Sequence, residues 1–219
     1  MCYRYSLTTL AAIAAFHEQL TELAGGDWTP RYNVALTQRM PVITRRKTKT
    51  ALETMHFGFT LPARTATERP MLVANARAAT VLAKPAFRDA TEHRRCLVPA
   101  DGFYEWEKSG DTRLPHYFTL KDRRPFFFAG IWEPETAQTP AAFCIVTTTP
   151  NPLLAAIHDR MPVMLGPNSG RAWLGDEPLD PARLAQLCRP LPADQMTGQR
   201  VDSRMNNVRY EAADCVLPV

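Results

Sequence analysis

A single α/β (α+β) domain with a mainly antiparallel, barrel-like sheet and flanking helices is the fold class this sequence predicts. Three observations carry that expectation. Hydrophobic residues make up 45% and charged residues 22% of the 219, ordinary globular usage in a chain long enough to bury a core. Nineteen Pro stand against ten Gly, which favours short, stiffly connected elements over a helical bundle. Short β-rich runs recur along the chain without the regular strand–helix alternation of a doubly wound parallel sheet. No repeat, low-complexity tract or Gly/Ser linker divides the chain, so residues 1–219 read as one domain.

The first expected element is a helix. Arg4 followed by the apolar run over residues 7–16 has the look of a secretory leader, but the pattern continues through His17, Glu18, Leu20 and Leu23. Leu10, Ile13, Leu20 and Leu23 fall at helical spacing, so the segment reads as a soluble amphipathic helix. Thr8 or Thr9 caps its start and Gly25-Gly26 ends it. No stretch reaches the ~20 apolar residues of a membrane span. Strands are expected over residues 57–61, 71–74, 95–98, 117–120, 126–131 and 143–148. Short helices are expected over residues 171–174 and 181–188, the second opened by Asp180 as cap and Pro181 in its first turn.

Charge is unevenly spread. Residues 1–110 hold 15 Lys/Arg against 10 Asp/Glu, and residues 111–219 hold 11 against 12. Between Asp27 and Glu53 there is no acid, while Arg31, Arg39, Arg45, Arg46, Lys47 and Lys49 all fall there. Such a stripe fits a polyanion, and equally a solvated edge strand protected by charge. The five cysteines, Cys2, Cys96, Cys144, Cys188 and Cys215, contain no CxxC pair. That argues against a disulfide scaffold or zinc ribbon and for a reducing compartment. No metal and no cofactor are expected, since neither HExxH nor a GxGxxG occurs. The absence of a GxSxG elbow and of a P-loop weighs against an α/β-hydrolase and a nucleotidase.

Four places could carry chemistry. Removal of Met1 would leave Cys2 with a free α-amine beside its thiol, groups with ordinary pKa values near 8 and 8.5. An aldehyde meeting that pair forms an imine with the amine, and the thiol then closes a five-membered thiazolidine; chance placement of a cysteine at position 2 is the plainer reading. In Asp101-Gly102-Phe103-Tyr104-Glu105-Trp106-Glu107 a turn after an apolar strand presents Glu105 beside aromatics. Desolvation there would raise its pKa and suit it to proton transfer, unless it is the surface residue of an alternating strand. His158, between polar neighbours Asp159 and Arg160 and just before Pro162, suits acid/base work in a loop or a structural hydrogen bond. Asn75-Ala76-Arg77 at a strand end offers an amide and a guanidinium for an oxygen and a phosphate, or a plain turn. The other four cysteines read as small core residues.

Taken together, these segments resemble the SOS response-associated peptidase family, the abasic-site-processing proteins. The resemblance rests on Met1-Cys2 with Arg4, on Pro30-Arg31-Tyr32-Asn33-Val34-Ala35, on Asn75-Ala76-Arg77 and on residues 95–106. It continues through residues 128–133, Thr147-Thr148-Thr149, Ile157-His158-Asp159-Arg160-Met161-Pro162 and Asn207-Val208. Tyr3 stands where many members carry Gly, Leu36 where a Pro is frequent, and Ala79 where an acid is common.

The resemblance implies a partner, single-stranded DNA containing abasic sites, and a covalent link between Cys2 and the ring-opened aldehyde of the lesion. It implies that Cys2 is the nucleophile, that Glu105 moves protons, that His158 assists opening of the deoxyribose, and that Asn75 holds the N-terminal residue and the sugar. DNA contacts are expected from Arg4, Arg31, Arg77 and Arg160, with Trp106 stacking on a base or sugar. The same resemblance implies autopeptidase release of Met1, a lyase-like annotation, replication-fork proteins as further partners, a monomer, and a cytoplasmic, nucleoid-associated protein. Two rivals remain at this level: a thiol peptidase acting on other proteins, and a non-catalytic single-strand-binding module.

Overall fold

The structure is a computed structural model and describes residues 2–16, 28–46, 49–63, 65 and 67–219. In chain order the elements are β1 (Arg4–Leu7), α1 (Ala11–Phe16), β2 (Arg31–Ala35), β3 (Arg39–Arg46), β4 (Lys49–Phe57), β5 (Phe59–Leu61), β6 (Met71–Val73) and β7 (Asn75–Arg77). Then come α2 (Pro85–His93), β8 (Arg95–Ala100), β9 (Gly102–Ser109), β10 (Thr112–Leu120), β11 (Phe126–Glu133), β12 (Ala142–Thr148) and α3 (Pro152–Ala155). The chain continues with β13 (Met161–Pro162), β14 (Met164–Leu165), α4 (Pro167–Leu174), α5 (Pro181–Leu187) and β15 (Met196–Arg200).

Two sheets organise these strands. One runs β15-β10-β9-β1-β2 and is antiparallel throughout. The other follows β13-β12-β4-β3-β8-β11-β14, and a further pairing of β11 with β12 turns it back on itself. The result is a largely ring-like sheet, antiparallel except where β12 meets β4 and β7 in parallel. Closing a sheet this way removes exposed edges.

Side-chain alternation divides the core. On β8, β11 and β12, Cys96, Val98, Phe126, Phe128, Phe143 and Ile145 turn to one interior, shared with Tyr5, Phe103 and Phe118 of the other sheet. Their neighbours Leu97, Phe127, Ala129, Cys144 and Val146 turn outward onto α1, α2, α4 and α5, where Ile13, Phe87, Trp173 and Leu184 cover them. The period of two thus builds a barrel filling and a helical coat from the same strands. A third cluster, with Tyr104, Tyr117, Val201, Met205 and Cys215, lies on the far face of the five-stranded sheet.

The expected mixed architecture, dominated by antiparallel sheet, is what the chain adopts. Three local differences have physical causes. Residues 57–61 are two strands, because Gly58 has φ +112° and any Cβ there would stand 2.8 Å from Leu36 Cδ2. The helix expected from residue 7 begins at Ala11 because Leu7 is drawn into β1; Thr9 Oγ1 accepts the Ala11 N–H at 3.1 Å. Its continuation over residues 17–23 and the Gly25-Gly26 stop lie outside the described residues. Asp180 does cap α5, accepting the Arg183 N–H at 2.8 Å, with Pro181 in the first turn. The basic stripe is largely neutralised: Arg45 pairs with Asp176 at 2.6 Å, Arg46 with Glu53 at 2.8 Å and Arg31 with Glu211 at 3.1 Å.

Candidate active site around Cys2

The site begins with what anchors β1. Asp101, in the bend between β8 and β9, accepts hydrogen bonds from the Ser6 hydroxyl and from the Thr8 N–H and hydroxyl. The Ser6 hydroxyl also meets the Tyr117 hydroxyl at 2.7 Å. Gly102 is required there, since a Cβ would lie 2.2 Å from the Tyr117 ring. From this anchor β1 runs along β9, with Arg4 opposite Tyr104 and Tyr5 opposite Phe103. Continuing that register toward the N-terminus brings the Cys2-Tyr3 segment alongside Glu105.

Cys2 is fully buried, and its Sγ donates to the Arg4 carbonyl at 3.7 Å. Its own carbonyl accepts from Asn75 Nδ2 at 2.9 Å. Asn75 is in turn placed by β7, which lies parallel to β12 with Asn75 beside Ile145. Asn75 Oδ1 is buried and meets no hydrogen-bond donor among the described residues. Burial pushes the Cys2 thiol well above its ordinary pKa, and the nearby Glu105 carboxylate adds to the rise. A thiol in this state is a neutral S–H, not a thiolate.

Glu105 is 1% exposed. It shares its face of β9 with Phe103, in the interior that also holds Cys2, while Tyr104 and Trp106 face the third cluster. The expectation that Tyr104 and Trp106 desolvate it is therefore corrected: the barrel interior does so. Burial pushes its pKa up to about 7, with the Asp159 carboxylate raising it further. At that value the group exists in both forms near neutrality and can serve as acid and base.

His158 follows α3, its N–H donating to the Leu154 carbonyl at 2.8 Å. Burial lowers its pKa, opposed in part by Asp159. Nδ1 lies 2.9 Å from Asp159 Oδ1 and 3.1 Å from the Arg160 N–H. It can donate to the first or accept from the second, never both, so the tautomer decides which contact is made. Asp159 acts electrostatically on both Glu105 and His158, which places the three in one neighbourhood.

The residues expected to contact DNA divide. Arg77 is exposed and makes no ion pair among the described residues. Arg160 uses Nη1 on the Asp159 carbonyl at 3.2 Å, while Glu133, a conceivable partner, binds Arg94 instead. Trp106 is half-buried, with Nε1 donating to Asn206 Oδ1 at 2.7 Å. Arg31 is held by Glu211 and, at 2.6 Å, by Gln38 Oε1. Arg4 is only 9% exposed: Nη1 donates to Asn33 Oδ1 at 2.7 Å and to the Met205 carbonyl at 2.9 Å, and Nη2 to the Asn206 carbonyl at 3.0 Å. Its guanidinium is occupied by the fold.

Sequence reasoning assigned no role to Asn33, which is fully buried and whose Nδ2 faces the carbonyls of Met205, Asn207 and Tyr210 at 2.8–3.1 Å. Nothing in a lone Asn signals such a hub. The largest cavity, about 1300 Å³ between the β5–β6 hairpin, α2 and the segment after β11, includes none of Cys2, Asn75, Glu105 or His158. The chemistry-bearing groups lie elsewhere.

A mixed fold with a ring-like sheet and a chain start buried against a carboxyl and an amide matches a known group. The chain belongs to the SOS response associated peptidase (SRAP) family, whose profile matches residues 1–208. It is 35% identical over 200 residues to abasic site processing protein YoqW of Bacillus subtilis, covering 89% of this chain and 88% of that one. It is 30% identical over 193 residues to abasic site processing protein YedK of Escherichia coli, covering 86% and 85%. A solved structure of a protein from Bacteroides thetaiotaomicron superposes with a TM-score of 0.83 at 25% identity over the full length of both chains.

Proposed function

We propose that this chain processes abasic sites in single-stranded DNA by forming a covalent cross-link through Cys2 after release of Met1. The observation that carries the reading is the placement of Cys2: buried, held at its carbonyl by Asn75, and beside a carboxyl that titrates near 7. The names of its relatives supply the substrate class.

The proposed sequence opens with hydrolysis of the Met1–Cys2 peptide bond, which consumes one water and frees the α-amine. The lesion sugar is mostly a closed hemiacetal. His158, neutral because burial lowers its proton affinity, accepts the hydroxyl proton as the ring opens to the aldehyde. The amine nitrogen attacks that carbon, and Glu105 in its protonated form delivers a proton to the departing hydroxyl, releasing water and leaving an imine. The thiol sulfur then bonds to the same carbon; its proton passes by way of Glu105 to the nitrogen. Aldehyde and Cys2 thus become thiazolidine and one water. Holding the aldehyde beside the amine makes the step effectively unimolecular, worth on the order of 7–11 kcal/mol in favourable cases. Asn75 Oδ1, buried and unmet by a donor, suits a sugar hydroxyl. Ring closure protects the strand from the elimination an open aldehyde invites.

The thiol's raised pKa bears on the rival. A cysteine peptidase acting in trans needs a thiolate, and burial opposes one here. The amine-first route needs only the neutral S–H. The test is a denaturant-resistant gel shift with single-stranded DNA carrying one abasic site. A slow covalent band, lost in Cys2→Ala and with any tag placed before Cys2, is expected. A stable band from Cys2→Ala removes the mechanism.

A further inference from the structure

Across β9 and β10 the register sets His116 directly opposite Glu105, and Phe118 opposite Phe103. Directly opposed residues of an antiparallel pair project from the same face, with Cβ atoms about 4.5–5.5 Å apart. The rings agree: Phe103 stacks on Phe118 at 5.4 Å and His116 on Phe118 at 6.4 Å. His116 therefore shares the face of Glu105. Its Nε2 lies 2.9 Å from Oε2 of Glu107, the next residue of β9 on that face. The side chain of His116 is 18% exposed and that of Glu107 is 43% exposed, so the row climbs from the buried carboxyl to solvent.

We propose that His116, oriented by Glu107, is a positioning residue for Glu105, a titratable ring that sets the pH range over which the buried carboxyl is ionised. The proposal rests on the cross-linking role of Glu105 given above. Imidazole gains its charge between about pH 5 and 8. The Glu107 carboxylate favours the protonated ring, and a protonated ring opposite Glu105 favours the Glu105 carboxylate. Other charges face this row. Arg200 of β15 lies opposite His116 and favours the Glu105 carboxylate while opposing the ring's proton. Asp159, from the loop after α3, and the Cys2 thiol act on Glu105 from the other side. Glu105 and His116 then titrate as a coupled unit, with macroscopic midpoints belonging to both. Removing the ring's charge leaves burial and the carboxylates of Glu107 and Asp159 to act on Glu105, and its titration moves upward.

The full-length protein, labelled with ¹³C at the glutamate carboxyls, tests this without DNA. The Glu105 resonance, assigned by its loss in Glu105→Gln, is titrated from about pH 5 to 9 in wild type, His116→Phe and His116→Gln. Phe keeps the stack on Phe118; Gln keeps a donor to Glu107 but cannot gain charge. Both should raise the midpoint by about half a pH unit or more, which is roughly a threefold change in the ionised fraction near pH 6.5. An unmoved or lowered midpoint in either folded variant overturns the proposal, as does loss of folding in both, which would make the ring a packing element. A wild-type protein that forms no cross-link refutes the functional reading alone, since the titration still decides the role of His116.

Discussion

Asn75 donates its side-chain amide to the main-chain carbonyl of Cys2 at 2.9 Å, tying the start of the chain to a strand more than seventy residues away. Few contacts hold a chain terminus in place so directly. The reacting atoms of the proposed mechanism sit on that same residue.

Asn75→Ala should therefore slow cross-linking while leaving the fold intact. Losing a buried hydrogen bond of this kind costs about 1–3 kcal/mol, or roughly 5- to 150-fold in rate. Single-turnover kinetics beside a urea melt measure both quantities. A wild-type rate in Asn75→Ala would assign the contact to packing alone.

Glu105→Gln carries two opposite expectations. Cross-linking should fall by about 10²- to 10⁴-fold, the range for a lost acid/base group. Stability should move the other way. The Glu105 pKa is raised in the folded state, from 4.5 to about 7, so the unfolded chain ionises first as pH rises. Stability is lost between those two values and then stays level, by at most about 3 kcal/mol. Urea melts at pH 5 and pH 8 should show wild type losing more stability than Glu105→Gln across that interval. Parallel curves would mean that Glu105 titrates normally.

His158→Gln should slow capture of the natural lesion but spare an oligonucleotide bearing a straight-chain aldehyde with no hydroxyl to close on it. The difference isolates ring opening. Equal defects on both substrates would move His158 into the carbon–nitrogen step.

Arg77→Ala and Arg4→Ala should separate cleanly. Exposed Arg77 is placed to meet phosphate, so its loss should weaken single-strand binding irrespective of sequence and lower the salt slope by about 0.7. Arg4 is occupied by Asn33 and two carbonyls, so its loss should instead lower the midpoint of thermal unfolding. Fluorescence anisotropy over a salt series and calorimetry distinguish the two; a salt-slope change in a fully stable Arg4→Ala would return that residue to the DNA interface.

Much of the fold was legible because strands buried on two faces announce themselves as apolar runs: residues 95–98, 126–131 and 143–148 all fall inside observed strands. The break at Gly58 was not, since a positive φ is a property of packing against Leu36 and Leu72. Local pattern favoured a surface Glu105; only closure of the second sheet shows that its face is interior. Arg4 misled in the opposite sense. A basic residue near a reactive terminus looks like a phosphate contact until the acceptors some two hundred residues away are seen. Pairing across the β9–β10 hairpin, which brings His116 to Glu105, depends on a register that no single strand encodes.

Asn33 gathers the two extremities of the polypeptide, receiving Arg4 on one side and binding the carbonyls of Met205, Asn207 and Tyr210 on the other. Those carbonyls leave the ribosome among the last. A nascent protein thus carries its second residue on a ribbon with no clasp, and translation must all but finish before the reactive end is set in place.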